Sequence, residues 1–428
     1  MSDSENMGFL LISEGGDGLG LALRLKAEGH KTSMWIRDPM LEGRGEGLVE
    51  KGNAPDFTPV VIADCTGSGA LLDTYRDADA LTFGGSQIAD KLESDRKYAS
   101  SIMKECGIKQ PQAKSFNSWE DASHFVESQD DSTRLVFKPE GHHSGNLPSY
   151  VSYDRTDMLH MLEHYKTIIG EAEAEFILQE FISGTCISSE GWFSKDHFIK
   201  PFNHTFERKQ FLNDDLGPSG GCTGNVVWAC LEDECPLCEN LLRLEDFLTE
   251  VSYNGPIDIN SVVSKVGEAY ALEFTPRFGY DAFPTFLYGL FDGSFGEFVW
   301  DCARGAAGDT MPLRKGYAAG VRISTPPWPS EDFESKKGLP IGNLRFKDLE
   351  RFYPYEVSLQ EDNFITSGGV GIIGVAVGYS ENSIDEAFEE AYKLCKKIRL
   401  PDMQYRTDLA EQFKSDLRRV SRYLTLNV

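Results

Sequence analysis

The sequence predicts an α/β chain: a first part doubly wound on a parallel sheet, a middle part of mixed α+β character, and a third part with several strands. Three observations predict it. Residues 8–36 read strand, glycine-rich turn, helix, strand. Short, wholly apolar runs at 60–63 and 80–83 each stop at a polar or glycine-rich turn, the pattern of buried parallel strands. From residue 176 onward, strand-like runs follow one another and include a hairpin signal over Lys265-Val-Gly267.

In the first unit, residues 8–12 form the opening strand, Glu14-Gly-Gly-Asp-Gly-Leu-Gly20 the turn, 21–28 the helix and 32–36 the next strand, ending at Asp38. Glycines at such a turn let backbone N–H groups reach a ligand at a helix N-terminus. Asp38 stands near the place of a ribose-binding acid, but the glycines do not follow G-x-G-x-x-G spacing. A plain doubly wound subdomain is therefore expected rather than a dinucleotide site. The turns after the next strands, Asp64-Cys-Thr-Gly-Ser-Gly69 and Gly84-Gly-Ser86, should form one wall of a cleft, because ligands bind outside the carboxyl ends of such strands.

Leu92-Glu-Ser-Asp-Arg-Lys97 comes next, with a helix running to about Cys106. The strand 135–138 ends on Lys138 before Pro139-Glu-Gly-His-His-Ser-Gly-Asn146, which fits a phosphate clamp and equally fits a solvated strand-end lysine. His142 and His143 are adjacent and read as loop residues rather than a metal pair. Residues 157–171 read as helix, 176–182 and 187–193 as strands. The polar, glycine-rich stretch 203–224 reads as a long lid or ligand clamp. Residues 238–251 read as one helix, and 305–316 as a linker. Strands at 320–324 and 372–377 and two closing helices complete the chain.

The stretch Ala271-Leu-Glu-Phe-Thr-Pro-Arg-Phe-Gly279 carries the most chemistry. Residues two apart on a strand share a face, so Glu273, Thr275 and Arg277 line one side. A hard-cation ligand then stands beside a phosphate-binding guanidinium, which suits Mg-nucleotide chemistry. The same residues also fit a strand that ends in a surface ion pair. In the preceding strand Asp258 and Asn260 share a face, and Asn260 is placed across from Glu273.

The totals bound the partners. At 428 residues, two to four subdomains are expected. A formal charge of −26 argues against nucleic-acid and anionic-membrane surfaces. The absence of a signal-like N-terminus and of a long apolar run leads us to expect a cytoplasmic protein. Nine scattered cysteines suit reduced thiols. Cys235-Pro-Leu-Cys238, with Cys230 nearby, has metal-like spacing, but no second pair or histidine follows at finger distance, so zinc is not expected.

Taken in order, Leu92-Glu93 with Arg96, Val136-Phe-Lys138, Gln179-Glu-Phe-Ile182, Glu207-Arg-Lys209, Gly217-Pro218 with Gly220-Gly221, Glu273-Phe274 with Arg277-Phe-Gly279, and Thr366-Ser-Gly-Gly369 resemble the ATP-grasp ligases. Within these they resemble the glycinamide ribonucleotide synthetases (phosphoribosylamine–glycine ligases) over nearly the whole chain. The resemblance implies a Rossmann-like pre-ATP-grasp domain at 7–107 and an ATP-grasp nucleotide-binding domain at 108–304, with a small lobe at about 112–180 and a large lobe at 181–304. A synthetase-like C-terminal domain follows at 305–428. It implies ATP and Mg²⁺ (or Mn²⁺) as cofactors, a small-molecule carboxylate and an amine as substrates, and a monomer or homodimer. The implied reaction forms an amide through an acyl phosphate, with release of ADP and phosphate.

The implied roles are these. Arg277 and Lys209 act on the transferred phosphoryl group. Arg96, Lys138, Glu180, Phe181, Ile182 and Glu190 hold the nucleotide, and Glu273, Asn260 and Thr275 the metal. Gly16, Asp64, Glu207, Gly220, Gly221, Gly279 and Asp281 contact substrate. The departures from the family pattern are specific. Thr275 replaces the second metal-ligating Asn, and Asn260, Asp258 or Asp281 is the expected compensation. Thr185 and Cys186 replace a ribose-contacting Glu, with Glu190 nearby. Asp17 stands where the family has the arginine that grips a 5-phosphate, and Asp64-Cys-Thr66 replaces Gly-Pro-Glu. An altered acceptor amine is expected. The alternatives are the authentic glycinamide-forming reaction and a catalytically silent, nucleotide-binding relative.

Overall fold

The computed structural model describes residues 8–140, 147–170, 175–230, 235–329, 336–424 and 426. Five parallel strands open the chain: β1 (Gly8–Ser13), β2 (Lys31–Ile36), β3 (Glu50–Lys51), β4 (Val60–Ala63) and β5 (Thr82–Phe83), in the order β3-β2-β1-β4-β5. Every residue of β1 and β4 is buried, as their unbroken apolar runs require of strands covered on both faces. Asp38, placed by the sequence as a candidate ribose acid, instead accepts a hydrogen bond from the Met40 amide and caps a short 3₁₀ turn.

The helix expected to run to about Cys106 is Arg96–Glu105, and a separate helix, Gln87–Ser94, precedes it with a break at Asp95. Asp95 is extended and its carboxylate accepts from the Tyr98 amide, the capping geometry that starts a new helix. That break sets Arg96 at the first helical position, facing the middle of the chain.

A four-stranded antiparallel sheet comes next: β6 (Ala113–Phe116), β7 (Leu135–Pro139), β8 (Tyr150–Val151) and β9 (Phe176–Glu180), ordered β6-β9-β7-β8. The glycine-histidine loop at 141–146 lies outside the described residues. An eight-stranded antiparallel sheet then carries the rest. Its strands are β10 (Gly184–Ser194), β11 (His197–Leu212), β12 (Leu216–Cys230), β13 (Gly255–Ser264), β14 (Ala269–Thr275), β15 (Tyr317–Ser324), β16 (Phe352–Pro354) and, after the separate hairpin β17 (Val357–Gln360) and β18 (Asn363–Thr366), β19 (Ile372–Ser380). Their order is β14-β13-β10-β11-β12-β15-β19-β16, so the strands after residue 305 continue the sheet begun before it.

Residues 203–224, expected to be a lid, are instead most of the β11–β12 hairpin, joined by a three-residue turn at Asn213–Asp215. The reason is alternation. Phe206 and His204 point into the core and are fully buried, while Thr205, Glu207 and Lys209 point the other way into a cleft. Polar residues that face a cleft read, in sequence, like polar residues that face solvent. The single helix expected at 238–251 is two short ones, Pro236–Leu242 and Glu245–Glu250. Residues 305–316, read as a linker, are tied down by backbone bonds such as Met311 N to Lys200 O at 2.7 Å and Arg314 N to Leu290 O at 2.8 Å.

The large sheet divides two environments. Its back packs Phe206, Trp228 and Ile259 against the helices Pro236–Leu242, Ile384–Lys397 and Leu409–Val420 in one apolar core. Each such side chain contributes roughly 1.5–3 kcal/mol by leaving water. Its front is polar where β10, β11, β13 and β14 form the floor of the cleft, while Trp192, Val227, Ala318 and Val377 join a second apolar core with Phe283 and Phe286.

Candidate functional site

The cleft has a volume of about 260 Å³ and lies between the four-stranded sheet, the helices Gln87–Ser94 and Arg96–Glu105, and the front of the large sheet. Alternate residues on four adjacent strands supply its floor: Ser188 and Glu190 from β10, Thr205, Glu207 and Lys209 from β11, Asp258 and Asn260 from β13, Glu273 and Thr275 from β14. Lys138 from the end of β7, and Arg96 and Arg277, complete the cationic side.

The β13–β14 register sets Asn260 opposite Glu273 and Asp258 opposite Thr275. A bulge follows immediately, between Asn260 and Ser261, where an irregularity re-aims side chains. Asn260 Oδ1 accepts from the Ser188 hydroxyl at 2.7 Å, and its Nδ2 donates to Asp258 Oδ1 at 3.1 Å and Thr275 Oγ1 at 3.4 Å. Glu273 is half-exposed, with Lys209 Nζ 3.8 Å from its carboxylate. Behind this pair the acids are deep. Burial pushes the carboxyl of Glu190 up to about 7, with Asn203 Nδ2 donating to it at 3.1 Å. Burial also raises Asp258 and Glu207. Lys138 is held below its usual value by burial, an effect that the Glu273 carboxylate opposes. The floor is thus rich in oxygen donors, with four cations, Arg96, Lys138, Lys209 and Arg277, around it.

Arg277 is fixed by two bonds to Glu93, Nε to Oε2 at 3.0 Å and Nη2 to Oε1 at 2.7 Å, and its guanidinium lies 4.3 Å from the Tyr280 ring centre. Arg96 donates to the Pro139 carbonyl at 2.5 Å, which ties the helix to the strand end that carries Lys138.

Residues 94–280 match the sequence model of the phosphoribosylglycinamide synthetase ATP-grasp (A) domain. Over these residues the chain is similar to an ATP-grasp domain. It is 24% identical over 340 residues to the phosphoribosylamine–glycine ligase of Leptospira interrogans, covering 76% of each chain. Its fold is similar to the crystal structure of phosphoribosylamine–glycine ligase from Thermotoga maritima, with a TM-score of 0.71 at 18% identity, over 94% of this chain and 100% of that one. It is also similar to the biotin carboxylase domain of 2-oxoglutarate carboxylase from Hydrogenobacter thermophilus, solved with MgADP, ADP and bicarbonate. There the TM-score is 0.59 at 11% identity, covering 93% of this chain and 91% of that one.

The structure brings together eleven of the residues singled out in the sequence: Arg96, Lys138, Glu190, Glu207, Lys209, Gly221, Asn260, Glu273, Thr275, Arg277 and Gly279 all line the one cleft. Others lie apart. Glu180, Phe181 and Ile182 follow Gln179, which does line the cleft, but they are not themselves among the lining residues. Glu180 is exposed, its amide bonded to Gln112 O at 2.8 Å, and Phe181 lies under Arg134 at 3.8 Å. Asp281, expected to face substrate or metal, is fully buried and doubly bonded to Arg322 at 2.7 and 2.8 Å. Gly220 turns its carbonyl to the same Arg322 at 2.7 Å. These two residues hold an arginine in place rather than line the cleft.

Gly16 and Asp64 belong to the N-terminal turns. Gly16 adopts φ +91°, which glycine tolerates, and donates its N–H to Ser13 Oγ at 2.7 Å. Asp64 accepts from the Ser13 hydroxyl, and burial raises its carboxyl to about 7. It lines a small hollow of about 20 Å³ with Asp17, Tyr353 and Tyr355, and the hollow shares Gly279 and Tyr280 with the main cleft. Residues that the sequence reading missed are the ones that serve others: Arg322 under Asp281, and Arg44, which bonds Glu356 at 2.9 Å and lies 3.6 Å from Asp17. Arg44 and Glu356 are 312 positions apart, so no local pattern announces the pair. Among the described residues no helix is long and apolar enough to cross a membrane.

Proposed function

We propose that the chain is an ATP-dependent carboxylate–amine ligase that works through an acyl phosphate. The observation that carries this reading is the convergence of Lys138, Lys209, Asn260, Glu273 and Arg277 on one cleft. A carboxylate oxygen of the substrate takes the terminal phosphoryl group of ATP, leaving ADP. The amine nitrogen then attacks the acyl carbon, the C–O bond to phosphate breaks, and the amine loses a proton as the amide forms. Lys138 and Lys209 offset the negative charge of the phosphates, and Arg277, held by Glu93, is aimed at the group in transfer. Gln179 lines the cleft beside Lys138, and a nucleotide base is taken to rest near it.

The residue types fit a hard divalent cation: the Glu273 carboxylate faces Asn260 across two strands with Thr275 Oγ1 beside them, and a turn of the Asn260 amide, whose oxygen now accepts from Ser188, would complete an oxygen set. When bound, Mg²⁺ or Mn²⁺ would supply charge neutralisation at the phosphates. The neighbour solved with MgADP supports ATP and Mg²⁺ as the pair.

The carboxylate is an amino acid such as glycine, by kinship with the phosphoribosylamine–glycine ligases. The acceptor amine differs from phosphoribosylamine: the first turn offers Asp17 and Asp64, and the nearby Arg44 is already engaged by Glu356. We place the protein in the cytoplasm, as a monomer or homodimer acting on small molecules.

The test is to incubate the purified chain with Mg-ATP and a panel of amino acids and amines, following ADP and phosphate and trapping acyl phosphate with hydroxylamine. A ligase gives the acyl hydroxamate of its own carboxylate. ATP binding without ADP release above background, for every pair, would instead identify a catalytically silent relative.

A further inference from the structure

On the back of the large sheet, away from the cleft, four side chains converge that ligase chemistry does not use. The Nε2 of His204 lies 4.0 Å from Cys238 Sγ, and the Sγ atoms of Cys238 and Cys230 are 3.3 Å apart. The ligand atoms of His204, Cys235 and Cys238 all lie within 4.8 Å of one another, and all three residues are buried. We propose that His204, Cys230, Cys235 and Cys238 form a structural zinc site.

The chemistry of the set favours it. Three thiols and one imidazole are the donors of closed, four-coordinate structural zinc, whereas hard cations prefer oxygen. The histidine is already oriented. Its Nδ1 bonds the Ser189 hydroxyl at 2.8 Å, which leaves Nε2 to face the sulfurs, the arrangement in which a partner fixes the ligating nitrogen. The topology explains how the set assembles. Ser189 and His204 are cross-strand partners on β10 and β11. Cys230 ends β12, and Cys235 and Cys238 lie at the start of the helix Pro236–Leu242. Finger spacing would put the fourth ligand after the cysteine pair, but here it arrives from a strand that precedes them.

Position decides the role. Thr205 lines the cleft and His204 points the opposite way, so the sheet separates the two sites. With four protein ligands and no open position, the ion would pin the end of β12 and the helix Pro236–Leu242 to the back of the floor strands. Binding would displace thiol protons and couple metal uptake to folding.

Purified full-length chain, expressed with added zinc and desalted, should carry about one zinc per chain by elemental analysis. Cobalt(II) introduced in its place should show the sulfur-to-metal charge-transfer and ligand-field bands of a tetrahedral thiolate site. Cys235→Ser and His204→Ala should each lose the metal, while Cys395→Ser, an equally buried cysteine elsewhere in the core, should keep it. Should a variant fail to fold, the cobalt spectrum of the unmutated chain still decides. Less than about 0.1 zinc per chain after zinc-supplemented expression, with no tetrahedral cobalt spectrum, overturns the proposal. So does retention of zinc by the Cys235→Ser chain.

Discussion

Glu93 and Arg277 stand 184 positions apart in the chain and meet in two parallel bonds of 3.0 and 2.7 Å at the wall of the cleft. The two parallel bonds, made through Nε and Nη2, hold the guanidinium in one plane, so Glu93 sets the direction in which Arg277 presents its remaining face. Glu93→Gln keeps the shape and removes the charge and half of the fork. A loss of alignment of about 1 Å costs on the order of 10²-fold in rate. We expect kcat to fall by about 10- to 100-fold with the KM for ATP little changed. A fall in ATP affinity with kcat preserved would show that Arg277 merely binds the nucleotide.

Glu273→Ala should abolish most turnover, by roughly 10²–10³-fold, since it removes the one carboxylate that faces Asn260 across the hairpin. Calorimetric titration should still detect ATP, held by Lys138 and Lys209. The companion change is Thr275→Asn, which sets an amide carbonyl where a hydroxyl now stands. It should lower the Mg²⁺ concentration needed for half-maximal ADP release. Unchanged turnover in Glu273→Ala removes the metal from this place.

The part of the site legible in the sequence is the part that local rules govern. The short turn at 265–267 fixes the hairpin register, Val263 opposite Ala269, and counting from it brings Asn260 within one residue of Glu273; the bulge beside Asn260 supplies the last step. Lys138 is legible because it ends an apolar run. What was not legible depends on distance or on which face a polar residue takes. The β11–β12 hairpin looked like a loop because its cleft-facing Thr205, Glu207 and Lys209 resemble solvent-facing residues, and its glycines resemble turns. Asp281 looked like a ligand because nothing near it reveals Arg322, 41 positions on. His204 was passed over for the same reason: its cysteine neighbour is 34 positions away and lies in a different element.

The Asp281–Arg322 pair makes a stability prediction. Asp281 is fully buried, Arg322 nearly so, and Tyr355 Oη donates to the same carboxylate at 3.3 Å. Removing one partner strands a buried charge, at a cost of about 3–5 kcal/mol. Asp281→Asn should lose about that much in urea denaturation, whereas the double change with Arg322→Met should lose much less than the sum of the two single changes. A loss under about 1 kcal/mol for Asp281→Asn would mean that the pair is solvated in solution.

Glu190 makes a prediction about pH. Its carboxyl is buried under the cleft floor and raised from 4.5 to about 7, mainly by burial, with Asn203 opposing the rise and Glu207 adding to it. Between these two values the folded chain keeps a proton that the unfolded chain has released, so stability falls as pH rises across that window. The contribution is whole below about 4.5 and lost above about 7. Glu190→Gln has no such proton to lose. The stability of the variant relative to the unmutated chain should therefore climb from pH about 4.5 to 7 and then level off, by at most on the order of 3 kcal/mol. Asp64, which does not interact with Glu190, is raised in both chains and cancels in the difference, whereas Asp258, which the Glu190 charge helps to raise, is relieved of that part in the variant. The same proton links to the cleft's chemistry, because a cation beside the floor favours the ionised carboxylate. Nucleotide binding with Mg²⁺ near pH 7 should release a fraction of a proton in the unmutated chain and less in Glu190→Gln, read by titration calorimetry in two buffers of different ionisation enthalpy. Equal proton release in both chains would place the linked group elsewhere in the cleft.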